Sequence, residues 1–282
     1  MTNIKYDSIC RAGKIVNEDI IYTSESMGWV LDAATGLAGK NLTSGETDGA
    51  WFVKQWDEYL KKNIENLDKS IKEIVYDGID VIKECFYKEA NITEIESILR
   101  PSASLVLFRI NNEMLEYFLL GDCTLLIQSK DGSTIRVKDT RLEAFDGKAA
   151  KCMNEARIKD SLTFEEARKF INPMLIEHRL LKNKPEGYWT LEFEKESANN
   201  GIEGSMNIGE ISAILMLSDG YAAIYDVYKE CNEIDLIDVI NKDGLETVYN
   251  RIREIEEEDK DCSKFPRFKK GDDASAVLIE IK

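Results

Sequence analysis

The first part of the chain alternates apolar and polar residues, which is the spacing of half-buried strands. This alternation predicts one strand around Lys14 to Tyr22 and a second around Trp29 to Asp32, joined by a hairpin over Ser24 to Gly28. From about Trp51 the apolar residues recur every three or four positions, which is the spacing of helices. Residues 51–86 therefore predict two amphipathic helices whose aromatic stripe faces the core.

A run of short strands separated by turn residues follows. The predicted strands are Ser102 to Ile110, Leu115 to Leu120, Thr124 to Gln128 and Thr134 to Val137. Turn signals stand between them, at Asn111-Asn112, Gly121-Asp122 and Lys130-Asp131-Gly132. The succession predicts an antiparallel meander.

The next segment is predicted to be helical from Thr163 to about Lys182. Thr163 and Glu166 form a capping box at its start, and Pro173 is expected to kink or split it. His178, the only histidine of the chain, is predicted on an exposed face of this helix. Tyr188 to Phe193 then resembles another strand.

The last third of the chain holds two strands separated by helices. Ile211 to Leu217 is an almost wholly apolar strand, helices follow near Asp235 and over Leu245 to Glu258, and Ala274 to Ile281 is the final strand. Long helices between groups of hairpin strands predict an α+β fold of two stacked antiparallel sheets flanked by helices. We expect one domain over residues 1–282, with residues 140–187 as an elaboration near one rim.

The charge of the chain narrows the possible partners. A formal net charge of -16, without a basic stripe, argues against nucleic-acid binding. A phosphate substrate would also be repelled unless bound cations reversed the local field. No apolar run reaches the length of a membrane span and no secretory signal opens the sequence, so we expect a cytoplasmic protein without a membrane partner.

The residue types available for metal binding are oxygen donors. The six cysteines are scattered without a C-x-x-C pair, and there is one histidine, so neither a zinc site nor a disulfide framework is expected. Any bound metal would therefore be magnesium, manganese or calcium.

Four aspartates stand at the ends of predicted strands. Asp32, Asp122 and Asp219 each follow a strand, whereas Asp272 precedes one. Because the end of one antiparallel strand lies beside the start of its neighbour, all four are expected to meet at one rim. Carboxylates so crowded repel one another unless a divalent cation lies among them, so the pattern predicts a metal site.

Five fragments in order resemble the motifs of the metal-dependent phosphatases, the PPM-type family that includes the type 2C serine/threonine protein phosphatases. The family patterns are N-E-D, D-G-x-G-G, G-D-S, S-D-G and D-N-I-T-V. The matching fragments are Asn17-Glu18-Asp19, Asp32-Ala33-Ala34-Thr35-Gly36, Gly121-Asp122-Cys123, Ser218-Asp219-Gly220 and Asp272-Asp273-Ala274-Ser275-Ala276. The resemblance extends over nearly the whole chain.

The resemblance implies a pair of Mg²⁺ or Mn²⁺ ions that activate a water for attack on phosphorus. Asp32 would bridge the two ions, and Asp219 and Asp272 would hold the first; these three are the expected catalytic residues. The second ion would be served by Glu18 or Asp19, directly or through water. The family also uses the backbone carbonyl of the residue after the bridging aspartate, which here is Ala33.

Departures from the family pattern affect the expected substrate and metal contacts. The arginine that relatives place before N-E-D to grip phosphate is missing, and Arg11 is the nearest candidate for substrate binding. Ala34 stands where some relatives have a histidine that donates a proton. Ala223 replaces an acid used for a third ion, so two ions are expected, with Asp122 in a supporting role or at a weak site.

The resemblance implies hydrolysis of phosphoserine or phosphothreonine esters in proteins. Two alternatives stay open: hydrolysis of a small phosphorylated metabolite, and a phosphatase-like binding or regulatory module with weak catalysis. The basic run from Lys264 to Lys270, directly before Asp272, either draws a phosphorylated substrate to the rim or is a solvated loop.

Overall fold

Residues 4–13, 15–37 and 41–281 are described by the computed structural model. They form two five-stranded antiparallel sheets, of order β1-β10-β9-β6-β7 and β2-β3-β4-β5-β8, called the first and the second sheet. The strands are β1 (Ile4–Arg11), β2 (Asp19–Thr23), β3 (Met27–Ala34), β4 (Ser102–Asn111), β5 (Met114–Leu120), β6 (Thr124–Ser129), β7 (Thr134–Lys138), β8 (Ile202–Asn207), β9 (Ile211–Leu217) and β10 (Ala274–Ile281).

The helices lie between the strand groups. They are α1 (Asp48–Asn63), α2 (Ile71–Ala90), α3 (Arg141–Asp160), α4 (Phe164–Phe170), α5 (Asn172–Leu180), α6 (Glu196–Asn199), α7 (Asp219–Asp226), α8 (Leu236–Asp243) and α9 (Leu245–Glu258). Capping boxes begin α2 at Ser70 and α4 at Thr163, where each hydroxyl accepts from the backbone three residues on. No helix within the described ranges is both long and apolar enough to cross a membrane.

Three apolar clusters divide the molecule into four layers. Val30, Phe108, Met216 and Val277 are among the residues buried between the two sheets. Helices α1 and α2 cover the outer face of the second sheet, and α7, α8 and α9 cover the outer face of the first. The predicted α+β fold of two stacked antiparallel sheets flanked by helices is confirmed.

The segment predicted as an elaboration, residues 140–187, contains α3, α4 and α5. These helices surround a small apolar cluster of their own, with Met153, Ala167 and Ile171 buried in it. The predicted helix over Thr163 to Lys182 is split at Ile171, because Pro173 cannot continue α4 and instead begins α5. Helix α3 itself was not among the predicted elements.

The predicted meander is wrong at its centre. Strands β4 and β5 form a hairpin in the second sheet, but β6 and β7 pair in the first sheet, where β6 lies beside β9. The chain crosses between the sheets at Gly121, whose φ of +87° is favourable only for glycine. The turn signal at Gly121-Asp122 therefore marks a change of sheet.

Other predictions are corrected by tertiary packing. Residues 188–193 form only single bridges, at Tyr188 and Leu191, and not a strand. His178 is 8% exposed and packs edge-to-face on Phe145 with the ring centroids 5.0 Å apart, so the predicted exposed position is wrong. The predicted first strand begins at Lys14, which lies outside the described residues; β2 begins at Asp19.

Candidate metal centre

The second sheet brings two aspartates face to face. Asp19, the first residue of β2, pairs in register with Asp32 of β3, and Asp32 is in turn opposite Ser104 of β4. The hydroxyl of Ser104 donates to the carboxylate of Asp122 at 2.5 Å, and the backbone N–H of Asp122 donates back to that hydroxyl at 3.2 Å. The register of three strands thus places Asp19, Asp32 and Asp122 at one rim.

The first sheet supplies two more acids to the same rim. Asp219 is the first residue of α7, directly after β9 and Ser218, and Asp272 lies two residues before β10. Strands β9 and β10 are antiparallel neighbours, so the end of one lies beside the start of the other. The guanidinium of Arg253 donates to the backbone carbonyl of Asp272 at 2.6 Å and fixes this turn against α9.

Asp273 connects the two sheets at this rim. Its carboxylate oxygens accept from the backbone N–H groups of Gly13 and Glu18, each at 2.8 Å. Asp273 is 6% exposed, and its bonds hold the loop before β2 against the start of β10. Asp273, the second residue of the fragment that begins at Asp272, therefore joins two separate parts of the chain.

The pKa values of these acids reflect their closeness to one another. Burial, together with neighbouring carboxylates, raises the pKa of Asp19 to about 8 and that of Asp219 to about 6, and the ammonium of Lys269 partly offsets the shift at Asp219. Burial, followed by the charges of Asp219 and the other acids, also raises the pKa of Asp32 well above its ordinary value. Acids on four separate elements are thus close enough to oppose one another's ionisation.

Two of these carboxylates carry buried oxygens that lack a hydrogen-bond partner. Both oxygens of Asp19 and Oδ1 of Asp219 are in this state, and Asp19 is 3% exposed. The hydroxyl of Ser275 is near Asp19 and lowers its pKa, but no hydrogen bond of normal geometry joins them. A buried carboxylate without a partner is costly, so these oxygens are suited to a cation.

The donor set fits a hard divalent ion, because every candidate ligand is a carboxylate or carbonyl oxygen. In the described part of the chain, however, no three acids already surround a common point as ligands. An ammonium lies among them instead. Lys269 donates to Oδ2 of Asp272, and Asp219 and Asp32 also attract it.

Glu18 and Asp19, the alternatives for the second ion, have different surroundings. The Oε1 atom of Glu18 accepts from the hydroxyls of Thr35 and Thr47, the latter at 2.6 Å, and Thr47 is the N-cap of α1. Glu18 therefore supports the start of α1, whereas Asp19 lies among the acids at the rim. These acids, called here the acid rim, are Asp19, Asp32, Asp122, Asp219 and Asp272. Ala33 follows Asp32 in β3, and its N–H donates to the carbonyl of Glu18 at 3.1 Å.

Arg11 is engaged away from the acids. It is at the end of β1, and its guanidinium is 3.4 Å from a carboxylate oxygen of Glu246 on α9. Both side chains are more than half exposed, so this pair is weak. None of the contacts described for Arg11 joins it to the acid rim.

Two residues at the rim were not singled out from the sequence. Asp146 of α3 shares a cleft with Asp122 and Asp219, and burial together with those two charges raises its pKa to about 7. Lys269 was included only as one member of the basic run. Neither residue stands at a strand end, so the rule that found the other acids does not apply to them.

The acid rim opens into a cleft of about 700 Å³. Helix α3 forms one wall, α7 the floor, and the loop over residues 264–271 the other wall. Lys138 also lines the cleft, and its ammonium is 2.7 Å from Asp226 and 2.8 Å from Glu143. The elaboration thus forms part of the entrance to the site.

Comparisons with solved structures identify the fold. The Mycobacterium tuberculosis serine/threonine phosphatase PstP/Ppp superposes with a TM-score of 0.58 at 13% identity, covering 98% of each chain. The PstP catalytic domain in complex with two manganese ions gives 0.55 at 12% identity, covering 100% and 99%. A serine/threonine phosphatase from Staphylococcus aureus gives 0.52 at 13% identity, covering 100% and 96%.

These likenesses extend over whole chains, so the present protein has the fold of the PPM-type phosphatases. No protein-family model matches the sequence, and no curated protein matches it either.

Proposed function

We propose that this protein is a metal-dependent phosphatase that hydrolyses phosphoserine and phosphothreonine esters with a pair of Mg²⁺ or Mn²⁺ ions. The observation that carries the proposal is the convergence of Asp19, Asp32, Asp219 and Asp272 from both sheets. Both oxygens of Asp19 and Oδ1 of Asp219 are buried there without a hydrogen-bond partner. The fold shared with serine/threonine phosphatases supports the same reaction class.

The position of each acid indicates which ion it would hold. Asp32 lies on β3 of the second sheet, and acids of both sheets oppose its ionisation, so it is the residue suited to bridge. Asp219 and Asp272 would hold one ion from the first sheet, and Asp19 with the carbonyl of Ala33 would serve the other. Bound divalent ions supply an acidic water near neutral pH and withdraw charge from phosphoryl oxygens.

The cleft favours a substrate larger than a phosphate group. Its volume of about 700 Å³ leaves room for chain beside a phosphorylated residue. Phe265 and Phe268 line the cleft and offer apolar contact, and the ion-paired cations Arg136 and Lys138 also line it. A phosphoprotein segment fits this mixture better than a compact metabolite.

We also propose a cytoplasmic location. All six cysteines are among the described residues and none is paired, which suits a reducing compartment. Fractionation of the producing cells, with antibody detection, would test this location; recovery mainly outside the cytoplasm would contradict it.

The test of the function is a comparison of substrates, metals and variants. Purified protein is assayed on p-nitrophenyl phosphate and on phosphoserine and phosphothreonine peptides, with Mn²⁺ or with chelator. We expect turnover on both substrate types that disappears with chelator. Asp32→Asn should lower kcat by about a thousandfold, the scale of losing a principal electrostatic group, whereas Asp80→Asn on exposed α2 should leave it unchanged.

Each other outcome identifies an alternative. Turnover on the small ester without turnover on any peptide would favour a metabolite phosphohydrolase. No metal-dependent turnover on either substrate would favour a binding or regulatory module. Full activity of Asp32→Asn would remove the acid rim as the catalytic site.

A further inference from the structure

Lys269 places a positive charge inside the acid rim. Its ammonium donates to Oδ2 of Asp272, three residues further along the chain. Although 43% of its side-chain surface is exposed, the ammonium end faces the carboxylates. Burial opposes its charge, yet Asp272, Asp219 and Asp32 together raise the pKa of Lys269 well above its ordinary value.

The loop that carries Lys269 is fixed on both sides. Arg267, two residues earlier, is 2.6 Å from the buried carboxylate of Asp259. Arg253 holds the backbone of Asp272 through the 2.6 Å bond described above. The neighbouring Lys270 points elsewhere and is 2.6 Å from Glu165 on α4. The direction of the Lys269 side chain is therefore set by an anchored loop.

An ammonium and a divalent ion compete for the same carboxylates. The acids of the rim repel one another, and a tethered ammonium relieves part of that repulsion. A divalent ion carries twice the charge of the ammonium and binds the carboxylate oxygens directly. Because the two cations repel each other, they cannot occupy this position together. A site that must first expel a resident charge binds its ion with lower apparent affinity.

We propose that Lys269 is a resident cation of the metal centre, which competes with the divalent ion for Asp272 and leaves when the ion binds. The inference rests on the proposed metal dependence. Lys269 stabilises the metal-free protein and lowers the affinity of the site for divalent ions. A higher concentration of divalent ions is therefore needed to occupy the centre.

The test measures metal binding and stability separately from turnover. Lys269→Met and Lys269→Gln are titrated with Mn²⁺ by calorimetry, beside Lys270→Met as the matched control. We expect the Kd for Mn²⁺ to fall about tenfold in both Lys269 variants, the scale of one lost charge-assisted contact. Their Tm in chelator should fall below that of the wild type, because the repulsion is no longer relieved. Lys270→Met should retain the wild-type Kd.

Chemical labelling gives a second readout that needs no variant. An amine-selective reagent is applied with chelator or with Mn²⁺, and labelling at each lysine is measured by mass spectrometry. Labelling of Lys269 should rise when Mn²⁺ is present, while that of Lys270 should not change.

The outcomes separate this inference from the proposed function. A Kd that is unchanged or higher in both Lys269 variants, while the wild type binds Mn²⁺, would overturn the role of Lys269 alone. Labelling of Lys269 that is equal in the two conditions would do the same. Absence of Mn²⁺ binding by every protein in the series would refute the metal centre itself, and the inference with it.

Discussion

Two groups of buried charge in this molecule are built in opposite ways. The acid rim gathers carboxylates that oppose one another's ionisation, and buried oxygens of Asp19 and Asp219 lack hydrogen-bond partners there. Beside the end of α5, Lys182 and Glu192 are almost fully buried and 2.9 Å apart, and Arg100 contacts both Glu192 at 3.3 Å and Glu194 at 2.7 Å. Like charges meet at the rim, whereas opposite charges meet in this second group, called here the ion network.

The difference separates a structural role from a chemical one. The ion network joins the last turn of the elaboration to residues 191–194, and the Lys182 ammonium also donates to the carbonyl of Arg100 at 3.3 Å. Oε1 of Glu192 has no hydrogen bond of normal geometry, but the Lys182 ammonium 2.9 Å away and Arg100 balance its charge within the chain. The acid rim cannot be satisfied by the chain alone, and a single tethered ammonium reduces the imbalance without removing it. Unbalanced buried charge is therefore the better guide to function here.

The largest expected effect is on the ion network. Lys182→Met leaves Glu192 buried with only Arg100 as its cation, so the free energy of unfolding should fall by about 3 kcal/mol, the cost of breaking a buried pair. Lys182→Met combined with Glu192→Leu should recover most of that loss. Chemical denaturation measures both changes.

Lys195→Met provides the control for this prediction. Its ammonium pairs with Asp80 at 2.7 Å on the surface, so its loss should cost less than about 1 kcal/mol. A cost for Lys182→Met no larger than for Lys195→Met would show that the ion network is not the structural element described here.

The next effect tests which acid of the Asn17-Glu18-Asp19 fragment belongs to the rim. Asp19→Asn should raise the Kd for Mn²⁺ by at least about tenfold, because it neutralises a buried carboxylate whose two oxygens have no other partner. Glu18→Gln should leave that Kd within about twofold. It should instead lower the free energy of unfolding by about 1 kcal/mol, since the carboxylate accepts from Thr35 and Thr47 at the start of α1.

Calorimetry with Mn²⁺ and denaturation in chelator measure these two quantities. If Glu18→Gln weakens metal binding more than Asp19→Asn, the assignment must be reversed. The two substitutions are matched, because each replaces a carboxylate with the amide of the same size.

The sequence was sufficient for the architecture and most of the acids, because both depend on local patterns. Alternation and turn residues locate strands, and an aspartate at a strand end is visible without coordinates. Asp32, Asp122, Asp219 and Asp272 converge as expected from antiparallel neighbours, and Asp19, expected only from the resemblance as an alternative to Glu18, lies among them.

Features set by long-range packing were not predictable. The crossing between sheets at Gly121 follows the same turn residues as a hairpin, and only the pairing of β6 with β9 distinguishes them. The burial of His178 depends on Phe145 of a helix that has no clear apolar stripe. Lys269 is one of several lysines in its run, and its position follows from the anchors at Arg253 and Asp259.

The smallest expected effect is the pH dependence of stability without metal. The folded-state pKa values of Asp19 and Asp219, about 8 and about 6, are above the unfolded value, so the folded state binds more protons between about pH 4 and pH 8. Rising pH therefore lowers the free energy of unfolding over that window. His178, whose pKa is lowered by burial, and Lys182, whose pKa burial lowers to about 8, act in the opposite sense, so the difference between the wild type and Asp19→Asn isolates the acid.

In chelator we expect a loss on the order of 1 kcal/mol between pH 7 and pH 8, since Asp19, whose pKa is about 8, begins to lose its proton over this range. The loss should be smaller in Asp19→Asn. With Mn²⁺ the slope should reverse, because binding releases the protons that rising pH removes. The ion network predicts no such reversal. If the free energy of unfolding depends on pH in the same way with and without Mn²⁺ and in Asp19→Asn, the acid rim is not the source of the unbalanced buried charge.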